Sequence, residues 1–210
     1  MNFKSDGIVL SRKSFQEADR LVTFYTRDYG KITCIAKGVK KPKSRKAGHL
    51  EPATYCTLYV AKGKNLDILT EVETKKAFGL ESLPEEKTNR IYHLLELVDH
   101  LTPHNQKNVD VFNLLVSFLK TLKENNNDEL LLAAFKIKLL SLLGFFSSKN
   151  LKDSKSKELL FTFESQSIFT LQKQFNHDSK YLKLLSFLDS IIEKITERKL
   201  KTSRFIHAQI

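Results

Sequence analysis

Two periodicities that no single regular element can share divide this chain near residue 80, and the division constrains its fold more than any single motif. Before that point lie five short runs, GIVLSRKSF, RLVTFYTR, KITCIAKG, TYCTLYVAKG and LDILTEVET. They are rich in Val, Ile, Thr, Tyr and Phe and bounded by turn residues, which predicts extended strands. In the second run Val22, Phe24 and Thr26 fall on one side and Leu21, Thr23 and Tyr25 on the other, so both faces carry bulky groups. Asp28-Tyr29-Gly30-Lys31 and Lys62-Gly63-Lys64-Asn65 have the composition of hairpin connections. The result is a small barrel or sandwich, read as a meander with one long loop.

Beyond Thr74 the spacing becomes helical. Ser82-Leu83-Pro84-Glu85 combines a capping residue, a proline tolerated in the first turn and a glutamate able to close a capping box. Ile91, Leu94, Leu95, Val98 and Leu101 then form one apolar stripe, and Val109, Phe112, Leu115, Val116, Leu119 and Leu122 a second. LLLAAFKIKLLSLLGFF, Leu130 to Phe146, is apolar nearly all round and stops around Gly144, as a central helix with a left-handed cap does. The polar SSKNLKDSKSKE and the runs LLFTF and SIFTL, flanking Glu164-Ser165-Gln166, suggest a weakly structured insert with a small hairpin over 147–177. A last helix from Asp178 carries Leu182, Leu185, Leu188, Ile191, Ile192 and Ile195. The domains expected are therefore 1–80 and 81–210.

A hydrophobic fraction of 41% and a charged fraction of 28% are those of a globular protein. The net charge of +11 points to a polyanionic partner: nucleic acid, an anionic membrane surface or an acidic protein. Residues 1–80 hold 16 Lys and Arg against 8 Asp and Glu, so most of the excess lies there. It is densest between Lys31 and Lys46, where seven basic residues occur without one acid. Lys37, Lys40, Lys41, Lys43, Arg45 and Lys46 are the candidate phosphate contacts, with Gly38 and Pro42 shaping the loop. Arg12, Lys13, Arg20 and Arg27 extend the patch unless Glu17, Asp19 or Asp28 pair with them. Tyr25, Tyr29, Tyr55 and Tyr59 are candidate stacking surfaces, weighed against plain core packing.

Other chemistry finds little support. Two cysteines, Cys34 and Cys56, cannot make a disulfide framework, and the opening MNFKSDGIVL lacks a signal peptide's apolar run, so a cytoplasmic protein is expected. No apolar run is long enough to span a membrane. His93, His100 and His104 lack the carboxylate or thiol that would complete a metal set and are read as surface groups. There is no Gly-rich phosphate cradle, Gly-x-Ser-x-Gly elbow or His-Glu-x-x-His sequence, and Asp67, Glu71 and Glu73 fit a solvated strand face. No enzyme and no cofactor are expected.

Three stretches carry a resemblance to a known family. They are Gly7-Ile8-Val9-Leu10 with EADRLVTFYTRDYGKITCIAKGVKKPKSR, Glu17 to Arg45; Leu139-Leu140-Ser141-Leu142-Leu143-Gly144-Phe145; and RKLKTSRF, Arg198 to Phe205. In this order they resemble RecO, the bacterial recombination mediators. The resemblance implies an α+β protein: an N-terminal five-stranded OB-fold barrel followed by a mostly helical domain. It also implies a non-enzymatic protein that binds single- and double-stranded DNA and anneals strands. Such a protein works with RecR and single-stranded DNA-binding protein, whose acidic tail docks near basic residues, to help load RecA. Lys136, Lys138 and the Arg198–Arg204 cluster are the residues weighed for that tail, each with plain surface as the simpler reading. Many RecO proteins hold a four-cysteine zinc module after the Leu-Leu-Gly helix; here that segment has no cysteine and His177 alone cannot replace four ligands, so a degenerate, metal-free insert is expected. Two other readings stay open: an RNA- or ribosome-binding barrel, and an adaptor whose charge meets an acidic protein.

Overall fold

A computed structural model describes residues 2–78, 82–124, 128–145, 147, 154–174 and 180–207. The strand-like runs become β1 (Asn2–Phe15), β2 (Asp19–Thr26), β3 (Gly30–Ala36), β4 (Thr54–Ala61) and β5 (Asp67–Ala77). They close into a barrel of order β1-β2-β3-β5-β4. A simple meander would place β4 beside β3. Instead β1, bent by an irregularity between Val9 and Ser11, pairs with β2 through its second half and with β4 through its first. β5 closes the barrel on β3 by a short parallel contact, Cys34 opposite Asp67 and Ile35 opposite Ile68. This is the OB-fold arrangement.

Inward side chains fill the barrel: Val9, Val22, Phe24, Ile32, Leu58 and Leu69 are buried together. Cys34 and Cys56 lie in the same core, where loss of hydration pushes both thiols up to about 12, so they stay protonated and pack as small apolar groups. Chain contacts group residues 102–119 with 1–83 as one compact unit, and residues 84–101 with 120–210 as the other. Within the first unit, Asn105 N–H donates to Lys31 O at 2.8 Å, and the Tyr55 ring meets Phe112 edge-on at 6.1 Å. Gly30 takes φ +66° where a Cβ would sit 1.9 Å from the Gln106 carbonyl oxygen, so only glycine permits this approach.

The helices are α1 (Glu85–Leu101), α2 (Val109–Glu124), α3 (Asp128–Leu142), α4 (Ser154–Ser165), α5 (Ile168–Gln174), α6 (Lys180–Thr196) and α7 (Ser203–His207). Asn108 caps α2, its Oδ1 accepting from Val111 N–H at 3.1 Å. α3 ends as its sequence predicts: Gly144 has φ +78°, its N–H donates to Ser141 O and Phe145 N–H donates to Leu140 O, the paired bonds of a Schellman cap. Residues 148–153, His177 and the expected helix start at Asp178 lie outside the described residues.

The hairpin expected around Glu164-Ser165-Gln166 is not formed; both runs are helical, as α4 and α5. The β-branched and aromatic content of LLFTF and SIFTL favours strands, but tertiary contacts decide otherwise. Phe163 and Leu171 are buried, and Lys138 Nζ donates to the Glu164 and Gln166 carbonyls at 3.0 and 2.7 Å, satisfying acceptors that the end of α4 leaves open. The segment does not fit a zinc module, since both cysteines sit in the barrel. Packing and this lysine hold it.

Two further expectations are corrected. His93 and Lys136 are not surface groups; both side chains are fully buried. Lys136 of α3 forms an ion pair with Asp189 of α6. His93 of α1 lies between Asp189, 3.6 Å from Nε2, and Thr202, whose hydroxyl is 2.6 Å from Nδ1. Ser203 Oγ donates to the other Asp189 oxygen at 2.9 Å, and Glu96 accepts from the backbone N–H groups of Lys201 and Thr202. Burial and the neighbouring ammonium hold the His93 imidazole below its usual 6.5, while His93 and Lys136 hold Asp189 well below the carboxylate range.

Two outcomes are expected. Gly30→Ala lowers the unfolding free energy by about 2 kcal/mol or more, because the new Cβ meets backbone at a positive φ; urea unfolding measures it, and a loss below about 0.5 kcal/mol would show that the 102–119 segment yields freely. The depressed His93 pKa means the unfolded chain binds the proton more readily, so stability falls as pH drops below about 6.5. Asp189 adds a further loss below about 3.9. Urea titrations between pH 8 and 5 will show the first phase in the wild type and its absence in His93→Gln.

Candidate nucleic-acid interface

The basic run becomes an ordered cap over one end of the barrel. Its apolar residues hold it down: Val39 and Leu50 belong to the barrel core and Ala47 packs against it. Asp19, at the start of β2, accepts from Gly38 N–H at 2.7 Å, and Lys40 N–H donates to Ala18 O at 2.9 Å. Gly38 has φ +65°, which turns the chain into this contact. A short 3-10 turn over Ala47–His49 follows, with His49 Nδ1 2.7 Å from Thr74 Oγ1. Asp19, expected as a possible partner for an arginine, is instead the loop's anchor.

With the apolar residues turned inward, Lys37, Lys40, Lys41, Lys43 and Arg45 are exposed. Among the described residues none of these five side chains has an ion pair or hydrogen bond. Lys46 is half-buried, its Nζ donating to Leu69 O at 3.3 Å. A shallow depression of about 740 Å³ runs between this cationic wall and the exposed edge of β5, where Glu71 and Glu73 stand. The acids repel a phosphate chain from the β5 side, so the field favours a path along the loop.

The three outlying arginines have separate settings. Arg20 lies opposite Ala36 in the β2–β3 ladder, beside the root of the loop. Arg12 is paired with Glu51, fastening the loop's far end to β1. Arg27 follows the other end of β2, seven residues from Arg20 and therefore about 20 Å away along the strand. It joins Lys4 and Lys107 in a second depression rather than the loop cluster. Of the tyrosines, Tyr25 is buried; Tyr55 and Tyr59 are half-buried with the ammonium groups of Lys75 and Lys4 over their rings. Tyr29 is 39% exposed.

The sequence matches two family descriptions in succession: "Recombination protein O N terminal" over residues 1–78 and "Recombination protein O C terminal" over residues 87–204. The chain belongs to the RecO family. The first RecO match ends one residue beyond β5, so it coincides with the barrel, and the second runs from α1 into α7. Among its relatives are proteins named DNA repair protein RecO. That of Pelotomaculum thermopropionicum is 34% identical over 143 residues, 68% of this chain and 56% of the relative. That of Symbiobacterium thermophilum is 36% identical over 146 residues, 68% and 57%. That of Syntrophus aciditrophicus is 35% identical over 147 residues, 68% and 56%. The chain thus aligns with little more than half the length of these curated RecO relatives.

The anchoring of the loop is open to a direct test. Asp19→Ala removes the acceptor for Gly38 N–H, and losing such a bond costs about 1–3 kcal/mol of local order. Trypsin is expected to cut between Lys37 and Lys46 at least about fivefold faster in the variant, followed by mass spectrometry, with the barrel intact. Equal rates would show that the core residues alone hold the loop.

Proposed function

We propose that this RecO-family protein is a DNA-binding mediator of repair and homologous recombination. In this reading it engages single- and double-stranded DNA and promotes annealing of complementary strands. The observation that carries it is the set of five exposed cations, Lys37, Lys40, Lys41, Lys43 and Arg45, that have no ion pair or hydrogen bond among the described residues and are held on a core-anchored loop. Two DNA strands repel through their phosphates. A fixed cationic surface that releases condensed counterions from one strand lowers that repulsion when the second approaches. No bond to the DNA is made or broken, so the role needs neither a nucleophile nor a cofactor. Family membership supports the rest of the reading: action with RecR, contact with the C-terminal tail of single-stranded DNA-binding protein, and indirect delivery of RecA, at the nucleoid of a bacterial cell. Of the cations weighed for the tail, Lys136 is buried and Lys138 serves α4, whereas Arg198 and Arg204 are exposed.

Fluorescence anisotropy of labelled single-stranded and duplex DNA across a salt series tests the proposal. If about four of the five cations contact phosphate, a fourfold rise in salt weakens single-strand binding roughly fiftyfold. Changing Lys40, Lys41, Lys43 and Arg45 to Ala should flatten that dependence. Equal binding by wild type and variant would remove the loop from the interface; no binding by either would remove the DNA-binding function. Equal affinity for RNA would favour an RNA-binding barrel.

A further inference from the structure

The barrel end opposite the basic loop carries a second group of features the loop does not use. Tyr29, in the β2–β3 turn, lays its ring against Phe3 with centroids 4.2 Å apart and a tilt of 45°, and Phe3 is itself packed on the barrel core. The Lys62 ammonium lies 5.3 Å from the Phe3 ring centre. The two residues that precede Tyr29 in this turn, Arg27 and Asp28, line a depression of about 440 Å³ whose walls also include Lys4, Ser5 and Lys107. Its two acids are already engaged. Asp6 holds the Lys75 ammonium at 2.7 Å and accepts from Thr57 and Tyr55. Asp28 accepts from Ser5 Oγ at 2.8 Å, with Lys107 at 3.8 Å. Arg27 is exposed, and its guanidinium has no ion pair or hydrogen bond among the described residues.

The turn presenting Tyr29 and Arg27 is tied down by several contacts. Arg27 N–H donates to Asp6 O at 2.9 Å, Asp28 N–H to Ser5 Oγ and Tyr29 N–H to Thr26 Oγ1, while Gly30 is fixed against Gln106. A half-exposed aromatic ring in the same turn as an unpaired guanidinium, which itself faces a recess holding two further cations, Lys4 over Tyr59 and Lys107 near Asp28, suits one chemical unit: an unstacked base attached to a phosphate. A duplex keeps its bases stacked on one another and cannot offer a base to such a ring.

We propose that this end of the barrel is a second nucleic-acid site. It stacks an unpaired base on Tyr29 and places an adjoining phosphate against Arg27, Lys4 and Lys107. The inference rests on the nucleic-acid reading above and adds a division of labour to it. The loop grips phosphates of either form, whereas the Tyr29 end takes only a single strand. The two ends are about a strand's length apart, so one barrel holds two separate stretches of nucleic acid.

The test uses the full chain with fluorescein-labelled oligo-dT of twenty nucleotides and a twenty-base-pair duplex. Tyr29→Ala should weaken oligo-dT binding about tenfold and leave duplex binding within twofold, while Tyr29→Phe keeps wild-type affinity for both. Arg27→Ala should likewise weaken oligo-dT selectively. Oligo-dT carrying 5-iododeoxyuridine should photocrosslink to the peptide containing Tyr29, which locates the strand independently of affinity. Unchanged oligo-dT affinity in Tyr29→Ala, or equal loss for both DNA forms with crosslinks only on residues 37–46, would overturn the proposal. Either result leaves loop-dependent binding standing, whereas a wild type that binds no DNA removes both readings.

Discussion

The short parallel contact between β3 and β5 governs the rest of the barrel. Pairing Cys34 with Asp67 and Ile35 with Ile68 seats β5 beside β3, so β4 must lie on β5's other side, against β1. The chain leaving Ala36 therefore has to cross the barrel's end before it can start β4 at Thr54. That crossing is the basic loop. Its place over the core opening, its need for apolar plugs at Val39 and Leu50, and the outward direction of its lysines all follow from how the sheet closes. Charge density and topology thus meet in one segment, where a hairpin would have left the same cations on a free tip.

The second unit is organised by a buried charge cluster. Lys136 and Asp189 tie α3 to α6, and His93 with Thr202 and Ser203 brings in α1 and the start of α7. Desolvating these charges costs several kcal/mol, and removing one member leaves another uncompensated. Such a cluster adds little net stability over well-packed apolar groups. It permits few alternative packings, because any other arrangement leaves a charge without its partner.

Much of this was legible in the residues. The alternation of Val22, Phe24 and Thr26 located a strand with a buried face, and Gly144 located a helix end down to its left-handed cap. The order of strands was not legible, since a run of apolar residues says which face is buried but not against which neighbour. Tyr29 and Arg27 are each legible as candidates, but their grouping is not: Tyr29, Phe3 and Lys107 are distant in sequence, and only the fold joins them. The hairpin was misread because local β-propensity is weak against burial of Phe163 and Leu171. The burial of His93 carries no signal in the residues, whereas that of Lys136 does. Lys136 and Lys138 lie two residues apart in an otherwise apolar helix, so they point about 160° apart, and a helix buried nearly all round must take at least one of them inside. Asp19 gave no signal, because an anchoring carboxylate and an exposed one look alike in a sequence.

The contacts made by residues 201–203 have a consequence for the chain as it is synthesised. The barrel's strands are complete once residue 77 has been made, and residues 102–119 join them soon afterwards. The helical unit is different, because His93 and Glu96, near the start of it, wait more than a hundred residues for Thr202. Until then the His93 imidazole lacks Asp189 and Thr202, and the Glu96 carboxylate has only His100 of its own helix beside it. From the synthesis of residue 119 until that of residue 202 the nascent chain therefore holds a finished barrel and an unfinished bundle. A ribosome that stalls before residue 202 would release a protein with its basic loop formed and its helical half unlocked.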